Sequence, residues 1–171
     1  MSDGSRDACC VAVAPNGDKA AYIYYGSESG RQLVVNDLAG NETVIFESSD
    51  DFPWVGDPVF SPDGRYLVFE VAMAKSVEAR KELTVNLPKV EERMKAMKQL
   101  SGGFGFSHWL ALSDLFYVDL ASARPQAKRL EIKGHRFKNH ASFHPSGRWI
   151  AYEVLNLDMS TKTWVSKFKP E

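Results

Sequence analysis

Three short turns of the form Pro-x-Gly, each set between runs of apolar and β-branched residues, constrain this chain more than any other feature. They read Pro15-Asn16-Gly17, Pro62-Asp63-Gly64 and Pro145-Ser146-Gly147. Proline presets the dihedral of the first central turn position, Asn, Asp or Ser follows it well, and glycine takes a positive φ without a Cβ clash. Residues 11–14 and 21–24 flank the first turn, 58–60 and 66–70 the second, 141–143 and 149–153 the third. Aromatic and β-branched residues on both sides of a tight turn read as a β-hairpin, here in three copies.

Spacing turns the three hairpins into a repeat. Pro15 and Pro62 are 47 positions apart, whereas Pro62 and Pro145 are 83 apart. Asp37-Leu38 begins 22 positions after Pro15, and the matching Asp119-Leu120 begins 57 after Pro62. About 35 residues are therefore inserted within the second repeat, and without them the period is roughly 40–50 residues, the length of a four-stranded propeller blade. The expected organisation is one domain over 1–171, with blade one at about 9–48, blade two at about 56–133 and blade three at about 139–169. In blade one the strands are expected near 10–14, 19–25, 32–37 and 42–47. Blade three stops after 162–168, without an outermost strand.

The insertion, at about 74–103, reads as helical because Val90, Met94 and Met97 recur on one face after the stop at Asn86-Leu87-Pro88. Glu91 and Glu92 fall in the first turn of that helix, where its dipole favours them. The glycine-rich exit Gly102-Gly103-Phe104-Gly105-Phe106 lacks the Lys-Ser or Lys-Thr of a phosphate loop.

The motifs Phe-Ser-Pro-Asp-Gly-Arg-Tyr-Leu-Val-Phe at 60–69 and Phe-His-Pro-Ser-Gly-Arg-Trp-Ile-Ala-Tyr at 143–152, with the later Val-Asp-Leu at 118–120, resemble the WD-like β-propeller repeat of TolB-type proteins. The resemblance covers nearly the whole chain. It implies an all-β fold of propeller blades, three four-stranded repeats with the last incomplete and a helical insertion in the second. Similar repeats occur in binding propellers and in the gating domains of prolyl-oligopeptidase-like peptidases, and a fold of this kind hosts a function without defining it.

Chemistry is sparse along the chain. Cys9 and Cys10 are the only cysteines, and neighbouring cysteines bridge only with strain in the peptide between them. They read as small residues entering the first strand. The histidines His108, His135, His140 and His144 belong to no zinc, EF-hand or hydrolase motif. Ser107 beside His108 is a neighbour in sequence, which is not the arrangement a nucleophile and its base require. No catalytic residue, no metal site and no cofactor is expected.

With 171 residues, 44% hydrophobic, 25% charged and a formal charge of −1, the composition supports a sizeable core. No apolar run approaches the roughly 20 residues of a membrane span, and no nucleic-acid partner is expected. Residues 1–7 lack a basic n-region and an apolar h-region, so the chain as written reads as cytoplasmic, or as periplasmic if it is a mature fragment.

Blade-to-blade linkers emerge on the same end of a propeller as the loops joining second to third strands. The linkers at 50–57 and 134–140 and the whole insertion should therefore share one working face. The ligand-binding residues expected there are Trp54, Asp57, Phe104, Phe106, His108, Arg136 and His140, with Phe52, Trp109 and Lys138 beside them, a mixture of aromatic anchors and charge. The leading expectation is a non-enzymatic module that binds a protein or peptide through this face. The alternative is a fragment of the propeller domain of a prolyl-oligopeptidase-like peptidase, with the hydrolase domain absent. Three blades do not close a ring of four to eight, so a homodimer forming a six-bladed ring is a further expectation.

Overall fold

The computed structural model describes residues 7–26, 30–72, 113–134, 138–155 and 160–170. These form three antiparallel sheets built in chain order. Blade one is β1 (Asp7–Val13), β2 (Ala20–Gly26), β3 (Gly30–Asn36) and β4 (Glu42–Glu47). Blade two is β5 (Trp54–Phe60), β6 (Tyr66–Ala72), β7 (Ser113–Asp119) and the short β8 (Lys128–Arg129). Blade three pairs β9 (Lys138–Phe143), β10 (Trp149–Leu155) and β11 (Thr161–Lys167). The helical insertion expected at 74–103 lies outside the described residues, as do Phe104, Phe106, His108 and Arg136.

The three turns share one geometry. Gly17, Gly64 and Gly147 take φ of 73°, 70° and 68°, the left-handed region that costs glycine nothing. In each turn the residue before proline accepts from the glycine amide: Ala14 from Gly17 at 2.8 Å, Ser61 from Gly64 at 2.8 Å and His144 from Gly147 at 2.9 Å. His144 belongs to its turn, its Nδ1 lying 2.9 Å from Ser146 Oγ. In blade two, Arg65 reaches across to Asp119 through Nη2 at 2.7 Å and Nε at 3.1 Å, while Asp119 Oδ1 accepts from the Ala121 amide at 3.0 Å.

Alternation along the strands explains how the blades stack. Ala21, Ile23, Leu33 and Val35 of blade one meet Leu67, Phe69, Val71, Phe116 and Val118 of blade two in one buried cluster. The other face of blade two supplies Val68, Leu115 and Tyr117, which pack with Ile150 and Tyr152 of blade three. Blade two is thus apolar on both faces, and β7 reads as a nearly unbroken buried run. The first strands lie side by side, β1 against β5 and β5 against β9, as the axial strands of a propeller do.

An ionic contact also joins blades two and three. Asp114 on β7 and Lys138 on β9 are 0% and 1% exposed at their side chains and meet at 2.6 Å. Arg129 completes the group, with Nη2 2.6 Å from the other Asp114 oxygen. Lys138, expected on the working face beside His140, is instead buried because Asp114 offers it a carboxylate in the seam between blades. Phe52 also turns inward, its ring edge-on to Phe46 and Phe116 at 6.1 and 5.8 Å.

Candidate functional site

Each axial strand carries a bulge at the same height. The pairing of β1 with β2 slips between Cys9 and Ala12, that of β5 with β6 between Gly56 and Val59, and that of β9 with β10 opposite Tyr152. Inside the bulges Cys10, Asp57 and His140 take φ of 56°, 47° and 48°, a region that non-glycine residues seldom occupy. Each stands five positions before its turn proline. Bulges re-aim side chains and cluster near functional sites, and here each blade sets one such residue in its axial strand.

The bulges of blades two and three converge. His140 Nε2 lies 3.9 Å from Asp57 Oδ2, and its Nδ1 lies 3.3 Å from Glu153 Oε2. The His140 amide points at Glu70 Oε2 over 3.4 Å. One ligand-type atom from each of Asp57, Glu70 and His140 lies within 4.8 Å of the others. Glu70 and Glu153 hold the same place in their repeats, eight positions after the turn proline, where blade one has Ile23.

Burial divides these groups. Glu70 is 5% exposed, whereas the side chains of Asp57, His140 and Glu153 are 43%, 36% and 35% exposed. Burial pushes the Glu70 carboxyl up to about 6, with a hydrogen bond from Ser113 opposing the rise and the Asp57 charge adding to it. Desolvation disfavours the charged form, and a second carboxylate disfavours it further. Cys10 sits at the rim of this cluster, where burial and then the Cys9 thiol push its own thiol up to about 12. The two sulfurs are 2.8 Å apart. A thiol held neutral is a poor nucleophile.

Trp54 stands at the linker end of β5, three positions before Asp57. Its indole folds over Gly56 and occupies the space that any Cβ there would need. The Arg31 guanidinium of blade one lies 5.3 Å from the indole ring and 5.6 Å from the Tyr25 ring, so Trp54 bridges two blades by a cation–π contact. Of the residues expected to bind ligand, Trp54, Asp57 and His140 are described; the structure brings Asp57 and His140 together and sets Trp54 three positions from Asp57 on β5. Sequence reasoning missed Glu70 and Glu153, although aligning the repeats on their prolines places both at one position.

A groove opens at the turn end of the blades, with a volume of about 560 Å³. Tyr66, Arg148, Trp149, Lys167 and Lys169 help to line it. Lys167 occupies the position of Asp37 and Asp119 in the earlier repeats, so blade three places a second cation where blade two has the acid that pairs with Arg65.

No protein-family model matches the chain, and no curated protein matches it in sequence. Solved structures match it in fold. The TolB protein of Acinetobacter baumannii aligns over 93% of this chain and 29% of its own, with a TM-score of 0.58 and 12% identity. A protein of Agrobacterium tumefaciens described as TolB aligns over 98% of this chain and 47% of its own, with a TM-score of 0.54 and 12% identity. The sheets are therefore TolB-like propeller blades, and the chain spans less than half the length of either relative. At this identity the likeness is one of fold.

Proposed function

We propose that this chain is a non-enzymatic propeller module that binds a protein or peptide through the linker end of its blades. The observation that carries the reading is the bridge of Trp54, Arg31 and Tyr25 across two blades, beside the half-exposed Asp57 and His140. Aromatic and arginine anchors set among charged groups are what interface hot spots are made of. The bulges supply rigidity, because they hold Asp57 and His140 on paired strands rather than on loops. Protein partners also accord with the TolB-like fold, which offers a broad end surface.

Selection of a displayed random peptide library on the immobilised chain tests this. Peptides that bind should lose at least about tenfold in affinity with Trp54→Ala or Arg31→Ala, the 1.4 kcal/mol expected of a modest hot spot. Arg148→Ala with Lys167→Ala, in the groove at the opposite end, should leave that binding intact. Peptides that depend on Arg148 and Lys167 instead would place recognition at the wrong end for this account.

The second part of the proposal is ring closure by a second copy. Val13 and Val44, 62% and 52% exposed, lie on the face of blade one turned away from blade two. Trp149 and Val165, 39% and 62% exposed, lie on the corresponding outer face of blade three. Charge is complementary along the chain: residues 1–74 hold 12 acids and 4 bases, a net −8, and residues 75–171 hold 10 acids and 17 bases, a net +7. Head-to-tail pairing on a two-fold axis would set blade one against blade three twice and cover both apolar faces.

A further inference from the structure

We infer that Asp57, Glu70 and His140 form a site for a borderline transition-metal dication such as Zn2+, bound where the bulges of β5 and β9 converge. The donors come from three strands in two blades, and one ligand atom from each already lies within 4.8 Å of the others. His140 Nε2 and Asp57 Oδ2 are 3.9 Å apart, too far for a hydrogen bond. Ligand atoms of a tetrahedral zinc with bonds of about 2.0–2.2 Å stand about 3.3–3.6 Å apart, so the pair is a few tenths of an ångström more open than a bound ion would hold it. The Glu70 ligand oxygen lies within 4.8 Å of the other two, and binding an ion would draw all three inward.

Glu153 supplies the outer partner that such a site needs. A metal-binding histidine commonly donates its second ring N–H to a carboxylate, which fixes the tautomer and aims the other nitrogen at the ion. Glu153 Oε2 is 3.3 Å from His140 Nδ1, so an Nδ1 proton directed there leaves Nε2 turned toward Asp57 as a donor. Glu70 is 5% exposed, and a buried carboxylate beside a second carboxylate is unfavourable without a cation. Asp57 and His140 remain open enough to solvent for an ion to enter. One imidazole with two carboxylates suits Zn2+, Mn2+ or Co2+, whereas an all-oxygen set would suit Ca2+ or Mg2+.

The cation requires the bulges, not a protein partner, so the inference stands apart from the peptide-binding proposal. Cys9 and Cys10 are thiols close by, and the test removes them. In a Cys9→Ser, Cys10→Ser chain, calorimetric titration with Zn2+ should show one ion bound per chain. His140→Ala should abolish that binding, and Glu153→Gln should weaken it by about 10–100-fold. Glu70→Gln should weaken it at least as much. Titration with Co2+ keeps the test decisive if a variant fails to fold: visible absorption bands should appear with the intact ligands and be absent in Asp57→Asn. Zn2+ binding that vanishes with the cysteines, survives His140→Ala, or is matched by Ca2+ would overturn the assignment.

Discussion

Lys138 Nζ lies 2.6 Å from Asp114 Oδ1, with both side chains almost wholly enclosed between blades two and three. A buried pair of this kind contributes little net energy against a well-packed apolar pair, but removing one member strands the other. Asp114→Ala leaves both Lys138 and Arg129 without their shared acid. Urea unfolding should show a loss of about 3–5 kcal/mol. Lys138→Met should cost less, because Arg129 still neutralises Asp114. Equal, small effects in both would show that the seam is held by its apolar cluster alone.

Gly56 has no room for a side chain, because the Trp54 indole occupies the Cβ position. Gly56→Ala should push the indole off Arg31 and cost about 1–3 kcal/mol, the range for overpacking. A shifted and more solvent-quenched tryptophan fluorescence would report the displacement. Emission identical to the parent's, with Trp54→Phe used to identify the Trp54 contribution, would contradict the contact.

Gly64 tests the turn on which the repeat is built. Its φ is +70°, and the nearest atom to an added Cβ would be Asn16 Oδ1 at an ordinary 3.8 Å. Gly64→Ala therefore measures backbone strain without a clash, and should cost about 1–2 kcal/mol. Thermal unfolding should show the loss with no change in the circular dichroism of the folded state.

Acid stability should depend on Glu42. Tyr22 and Tyr24 hydroxyls both donate to its Oε1, at 2.5 and 2.9 Å. The Tyr22 bond, with the Tyr24 bond helping, holds the carboxyl below its ordinary value of 4.5. A carboxyl depressed in the folded state contributes stability above its unfolded pKa and loses it as pH falls through the folded one. Glu42→Gln should therefore be less stable than the parent at about pH 7, and the difference should shrink as pH falls below the ordinary carboxylate value and through the lower folded one. A difference that persists in acid would assign the effect to shape instead of charge.

Much of the blade architecture was legible because turn chemistry is local. Pro62 and Gly64 set their own dihedrals, and Leu67, Phe69 and Val71 alternate as a strand requires. The bulges were not legible, because Cys10, Asp57 and His140 share a position and no chemistry; only strand pairing makes them equivalent. Glu70 was hidden for a related reason, since its burial is decided by β9 of the next blade, far along the chain. The place of Lys138 in the seam was not legible because its partner, Asp114, lies on another strand and 24 positions away. Inter-blade contacts are set by stacking, which local periodicity does not encode.

The proposed ring closure requires the outer faces of the three-blade arc, at Val13 and Val44 and at Trp149 and Val165, to be covered by a second copy of the chain. Sedimentation equilibrium at low micromolar concentration measures this most directly. The predicted result is twice the chain mass at low salt, falling toward the monomer as salt screens the complementary halves, and also falling with Val165→Glu. A monomer at every salt concentration, unchanged by Val165→Glu, would contradict the closed ring.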